Sequence, residues 1–243
     1  MCSMPPESEF SNLFHQISKK SRGNIPQDYS QWPAEWTTIR YKSYPRFPKI
    51  VLDKTDPSIN LAKALRERKS SRDFAQRSIG KAQLSTLLEY SCGKKQEGEP
   101  YRVHPSAGAR YPLECYPIVF LSNPSLPAGL YHYNVDDHAL DVLMPQNFKA
   151  DQIDRFFTYP WAKNASMALV ITAIFSRTTQ KYGDRGYRNA LIEAGHMGQN
   201  LYLVGVSLGL KCTAIAGTRD ENIESFLDID GVTESLVYAL LFD

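Results

Sequence analysis

Metal and phosphate signatures are missing from this chain. Its four cysteines, Cys2, Cys92, Cys115 and Cys212, form no C-x-x-C pair, and its five histidines, His15, His104, His132, His138 and His196, show no H-E-x-x-H or i,i+4 pairing. Structural zinc sites and disulfide frameworks need such spacings, so neither is expected. A Walker lysine motif is absent, as is a G-x-G-x-x-G following a strand, which argues against ATP and Rossmann-type dinucleotide binding. Charge of one sign is also lacking: 28 basic and 26 acidic residues leave a net +2. That balance gives no electrostatic case for nucleic acid or an anionic membrane as a partner. No apolar run reaches the roughly 18 to 20 residues of a bilayer span, and the opening MCSMPPESEF lacks the basic and apolar regions of a secretion signal. The cytoplasm is the expected location.

The chain has 243 residues, 42% hydrophobic and 22% charged, enough for one domain or at most two around a sizeable core. Residues 1–57 are rich in Pro, Ser and Trp, with one short helical pattern at SNLFHQIS and then QWPAEWTTIRYKSYPRFPKI, too broken by proline for regular structure. This segment reads as an arm packing on the core or on a partner subunit, because its apolar residues are too few for a core of their own.

Residues 58–243 read as the folded domain. SINLAKALRER places Leu61, Ala62 and Leu65 on one helical face, and KAQLSTLLEYS does the same with Leu84, Leu87 and Leu88. ECYPIVFLS and SMALVITAIFS are β-branched and aromatic runs that predict buried strands. GLYHYN and HALDVL flank Val135, Asp136 and Asp137 and predict a hairpin. Apolar or small residues recur at helical spacing from Tyr187 to Leu208, and Gly209 fits the stop. Ala190, Ala194, Gly195, Gly198 and Gly205 lie within that helix; each glycine costs up to about 1 kcal/mol of propensity, so something must approach the backbone closely. KCTAIAG and SLVYALLFD predict two further strands, and Thr218 to Glu221 predicts a capping box opening the helix ENIESFL. The mixed order of strands and helices gives an α+β class with a mixed central sheet flanked by helices.

Three stretches carry chemistry. RKSSRDF puts Arg68 and Arg72 around Ser70 and Ser71 directly after a helix; two guanidiniums with hydroxyls suit a phosphate, although basic helix ends are also common as solvated surface. HPSAGARYP sets small residues between two prolines, so its backbone could lie flat against a planar ligand or simply turn. QKYGDRGYRNALIEAGHMG places Lys181 beside Tyr182, near Arg185 and Arg188, at the mouth of the small-residue helix. A helix start disfavours cations, so this basic cluster asks for a purpose.

Together, RKSSRDF, HPSAGARYPLECYP, GLYHYNVDDHALDVL and KYGDRGYRNALIEAGHMGQNLYLVGVSLGL, in this order, closely resemble the SagB-type dehydrogenase branch of the FMN-dependent nitroreductase superfamily, which includes azoline oxidases of peptide biosynthesis. The resemblance covers roughly residues 58 to 240. It implies a nitroreductase-like fold, a homodimer, and FMN at the subunit interface. Arg68, Ser70 and Arg72 match the segment gripping the flavin phosphate and ribityl chain. Pro105, Ser106, Ala107 and Gly108 match the segment lent by the other subunit to the isoalloxazine ring, and Ala216 and Gly217 match the backbone facing the flavin's reactive edge. The small residues of the long helix fit an interface helix. Lys181 and Tyr182 match the Lys-Tyr pair of azoline oxidases.

The implied activity is an FMN-dependent oxidation of a thiazoline, oxazoline or similar heterocycle in a peptide or natural product. A proton leaves to a base, a hydride goes to flavin N5, and oxygen reoxidises the flavin. Tyr182 would accept the proton with Lys181 lowering its pKa, or the roles reverse if burial neutralises the lysine. A cyclodehydratase or synthetase complex is a possible partner. NAD(P)H-dependent nitroreductase or flavin reductase activity, or a flavin-less binding subunit, are the alternatives. Two positions depart from the pattern: Tyr159 stands where a glutamine often occurs two positions before the tryptophan, here Trp161. The sequence also ends at ALLFD where family members commonly continue with a glycine and sometimes a further basic residue, so phosphate binding would rest more heavily on Arg68 and Arg72.

Overall fold

Two strongly apolar runs set the middle of the sheet. The computed structural model, which describes residues 9–19 and 28–243, folds them as β2 (Leu113–Val119) and β5 (Met167–Ile174), paired along their length. Met167, Leu169, Ile171 and Ala173 of β5 enter one core and Ala168 and Val170 enter another. The period of two with both faces covered explains a strand that reads as continuously apolar. Each such Leu or Ile buried contributes about 1.5 to 3 kcal/mol.

The remaining elements follow the chain. They are α1 (Glu9–Lys19), α2 (Ala34–Thr37), β1 (Lys49–Val51), α3 (Leu61–Glu67), α4 (Lys81–Cys92), β3 (Gly129–Asn134), β4 (Ala139–Pro145), α5 (Ala150–Asp154), α6 (Ser176–Tyr182), α7 (Asp184–Ser207), β6 (Cys212–Ala214), α8 (Asp220–Leu227) and β7 (Glu234–Phe242). The sheet order is β1-β4-β3-β2-β5-β7-β6. All named strand pairs are antiparallel, and among the described residues the one parallel contact is an isolated bridge between Ser70 and Cys212. The α+β class is therefore as expected. The expected mixture of strand directions is confined to that bridge, because hairpins and not crossover helices join β2, β3 and β4.

One face carries α4 and α7, with Leu84, Leu87, Leu88, Met197 and Leu201 packed against Leu169, Ile171 and Phe242. The other carries α5 and α8, with Ile153, Ile223 and Leu227 against Tyr116, Ile118 and Val170. Cys92, Cys115 and Cys212 are free thiols buried in the core.

Several local expectations are corrected. Leu61 and Leu65 of α3 remain 64% and 50% exposed, because α3 turns Ala64 inward instead. The capping box at Thr218 does not form: α8 starts at Asp220 after Arg219, and the Thr218 hydroxyl donates to the Asp220 carboxylate. The arm is more regular than its prolines suggest, since β1 pairs with β4 and α2 forms behind Pro33. Of the helix glycines, Gly198 is required by the chain's own sheet, for a Cβ there would fall on the ring of Tyr238. Gly195, by contrast, faces open space.

Candidate active site

The basic pair Lys181 and Tyr182 closes the last turn of α6; it does not open α7. Gly183, at φ 59°, ends α6 and begins the break before α7. A helix C-terminus favours a cation, which resolves the apparent conflict with the helix dipole. Arg185 and Arg188 point elsewhere: Arg185 donates to the Lys19 carbonyl (3.2 Å), and Arg188 Nη2 is 3.0 Å from His15 Nδ1, so both hold α1 of the arm.

Lys181 is 1% exposed. Its Nζ lies 3.6 Å from the ring centre of Trp32 and 5.4 Å from that of Tyr182. No carboxylate pairs with it among the described residues. Burial, followed by the charge of Arg110, pulls its pKa below the usual lysine value. Burial lowers the pKa of Arg110, and the nearby Tyr182 opposes that shift, so the guanidinium lies within electrostatic reach of the phenol.

The HPSAGARYP loop reaches the same point. A Cβ on Gly108 would fall on the Tyr182 hydroxyl and 2.8 Å from Lys181 Nζ, so only glycine lets the loop lie against both polar tips. Gly108 (φ 60°), Ala109 (φ 53°) and Tyr111 (φ 46°) are wound left-handed, a conformation costing of order 1 to 2 kcal/mol for each non-glycine residue. Buried Glu193 of α7 holds this strain in place. It accepts from Ser106 Oγ (2.5 Å) and contacts His104 Nε2 (3.2 Å), while Ser106 Oγ also accepts from the Tyr111 N–H (2.8 Å). Burial keeps His104 below the ordinary imidazole pKa despite Glu193, so its Nε2 proton donates to the carboxylate. Pro105, Ser106 and Ala107 edge a shallow open pocket of about 270 Å³ that continues onto Ile192 and His196 of α7.

The second group lies at the other end of α7. The Ser70 hydroxyl is 2.9 Å from that of Tyr202, which in turn accepts from the Ala214 N–H (2.6 Å), and Ser71 N donates to the Cys212 carbonyl (2.9 Å). These bonds lay residues 70–71 along β6. Arg68 stacks over Tyr202 (5.2 Å) and Arg72 over Trp161 (5.9 Å). Among the described residues neither guanidinium has a carboxylate partner. Tyr159 stacks on Trp161 (5.4 Å, 16°) and stands 46% exposed. A Cβ on Gly217 would meet Thr158 and lie 2.5 Å from the Tyr159 ring. The position where a glutamine was expected therefore forms an aromatic wall against the Ala216–Gly217 turn.

The chain thus gathers the expected residues into two groups. Glu193 and Tyr202, which position them, are nine residues apart on α7, about 13 Å along the helix axis. Trp32, Arg110 and Glu193 were not singled out from the sequence. Arg110 lies inside HPSAGARYP and Glu193 inside the long helix, so a buried charge at each was the available signal.

With this arrangement in view, the chain belongs to the nitroreductase family, whose model matches residues 65–242; that family is a group of oxidoreductases. The nitroreductase-type protein MJ1384 of Methanocaldococcus jannaschii is 32% identical over 70% of this chain and 85% of its own length. The microcin B17-processing protein McbC of Escherichia coli is 31% identical over 60% of this chain and 56% of its own length, so the match spans little more than half of that relative. SagB-type processing proteins are thus among the relatives, as the sequence resemblance implied. In the E. coli microcin synthetase McbBCD complex with truncated pro-MccB17 bound, one chain superposes with a TM-score of 0.62 over 96% of this chain and 91% of that one, at 21% identity.

Proposed function

We propose that the protein is an FMN-dependent dehydrogenase that oxidises a thiazoline, oxazoline or similar heterocycle in a peptide or natural product. The observation that carries this reading is a buried lysine and a tyrosine with their polar tips against Gly108, beside a buried arginine. A flavin reductase has no use for a base there, whereas azoline oxidation must lose a proton from carbon.

The residues present suit FMN. Arg68 and Arg72, held on aromatic faces and without carboxylate partners among the described residues, would take the phosphate, with Ser70 on the ribityl chain. Tyr159, Ala216 and Gly217 would border the ring, and Pro105, Ser106, Ala107 and Gly108 would face it from a second chain. Bound there, FMN supplies the hydride acceptor and, through oxygen, its own reoxidation. Tyr182 takes the proton as phenolate, favoured by Arg110 and Lys181, and the lysine, with its lowered pKa, passes that proton on. The homodimer is part of the reading: a twofold pairing would bring the Pro105–Gly108 loop of one chain to the ring held by the other. Residues 1–57 act as an arm over the 58–243 domain. Docking to a cyclodehydratase or synthetase complex fits the same reading.

Spectra and turnover test it together. The purified protein is expected to be yellow and to oxidise an azoline peptide with oxygen as acceptor. Tyr182→Phe is expected to keep the flavin spectrum and lose about 100-fold or more in kcat, within the range for a general base. Normal turnover by Tyr182→Phe refutes the base assignment; rapid NADPH oxidation without azoline turnover refutes the reaction.

A further inference from the structure

We infer that residues 29–38 of the arm form a roof over the Lys181–Tyr182 pair, with Trp32 as its contact residue and Arg110 as its latch, and that this roof selects the ring a substrate presents. Selection rests on the proposed oxidation; the roof does not.

A lysine at the end of a short helix is normally solvated, yet Lys181 is almost wholly covered. What covers it comes from far away in the chain: the indole of Trp32, with its ring centre 3.6 Å from Nζ. Such a contact attracts an ammonium to the π face, and it also shuts water away from the amine. Trp36 braces the indole edge-on at 6.3 Å.

Arg110 fixes the segment. Its Nη2 donates to the carbonyls of Glu35 within α2 (2.9 Å) and Thr38 at its C-cap (2.5 Å), and its Nε donates to the Arg177 carbonyl in the first turn of α6 (3.1 Å). One buried guanidinium thus ties the arm to the helix that carries the pair. The latch comes from the same loop that presses Gly108 against Lys181 and Tyr182.

The consequence is steric and chemical. A flat π surface already occupies the space next to the amine that a substrate ring must enter to be deprotonated there. An incoming ring has to lift the indole or slide along it, so a thin thiazoline or oxazoline ring is admitted more readily than one carrying an added substituent at C5. Trp32 is then a specificity residue, and the arm is part of the active site.

Lysine labelling of the full-length protein with limiting trinitrobenzenesulfonate, read peptide by peptide by mass spectrometry, tests the roof without activity. Lys54, whose side chain is 56% exposed, is the internal reference. Lys181 is expected to label about tenfold or more slowly than Lys54, as a group protected by local closure does. Trp32→Ala is expected to raise the Lys181 rate about tenfold with Lys54 unchanged, and Trp32→Phe to give an intermediate rate. If Trp32→Ala fails to fold, Trp32→Phe carries the test. A wild-type Lys181 that labels as fast as Lys54, or a rate unmoved in the folded variants, overturns the roof. For selection, Trp32→Ala is expected to narrow the kcat/KM ratio between a small and a bulky azoline peptide; an unchanged ratio overturns selection by the roof. If the wild type turns over neither peptide, the oxidation and the selection fall together, while labelling still decides the roof.

Discussion

At the scale of single residues, the site's design shows in what Lys181 gives up. Burial and Arg110 both disfavour its ammonium, so folding costs something at any pH where the amine is charged. For a basic group whose folded pKa is depressed, the penalty is largest below the lowered value and disappears above the ordinary one near 10.5. Lys181→Met removes it. This variant is expected to lose azoline oxidation and to gain about 1 kcal/mol of stability at pH 7, as substitutions at strained functional positions often do. Urea unfolding of both proteins across pH 7 to 10.5 checks it: the gain should shrink as pH rises, and a less stable variant contradicts the reading. The pair itself was legible in the sequence because two unusual neighbours stand side by side. Its surroundings were not. Trp32 and Arg110 meet Lys181 only through the fold, and no local pattern records such contacts.

At the scale of elements, strands and long helices were legible for a common reason: periodicity survives wherever an element buries a whole face. Thus β2, β5, β7, α4 and α7 fall where the apolar pattern places them. The ends were harder, since a cap depends on which residue turns first, and Thr218 spends its hydroxyl on Asp220. Helix α3 misled for a different reason. Its apolar stripe at Leu61 and Leu65 stays exposed, as Leu191 and Ile192 do on α7, so in a single chain part of the pattern faces outward. The glycines of α7 separate the two uses of small residues. Gly198→Ala is expected to lower stability by about 1 to 3 kcal/mol through overpacking against Tyr238. Gly195→Ala meets nothing within 4 Å and is expected to gain up to about 1 kcal/mol from helix propensity, unless a partner chain covers that face. Paired thermal melts at low protein concentration distinguish them.

At the scale of the whole molecule, the arm is tied to the sheet by buried charge. Lys42 reaches Glu234 and Tyr116 (2.5 Å each), and Tyr44 N donates to Asp141 (3.1 Å). His132 sits between Asp141 (3.3 Å) and Glu114 (3.0 Å), and Arg177 completes the cluster at 2.5 Å from Glu114. Burial opposes ionisation of Glu114, but His132 and Arg177 override it and hold its pKa down to about 2. Burial likewise opposes the imidazolium, yet Asp141 and Glu114 raise His132 above its usual 6.5. The His132 contribution is therefore complete below pH 6.5 and is lost as pH rises through the raised value, with a slope of at most about 1.4 kcal/mol per pH unit. His132→Gln is expected to remove that slope and to cost about 3 to 5 kcal/mol at pH 6, as a broken buried ion pair does; unfolding free energies between pH 6 and 9 measure both. The same scale decides where catalysis resides. In the proposed dimer, Arg72 of one chain and Tyr182 of its partner would serve the same flavin. Arg72→Ala and Tyr182→Phe are each expected to be inactive alone. Co-expressed, random pairing makes about half the dimers mixed, each with one intact site of two, and so restores about a quarter of wild-type oxidation. A site built within one chain restores none, and the activity of the co-expressed pair, with its dimer fraction measured by native mass spectrometry, tells the two apart.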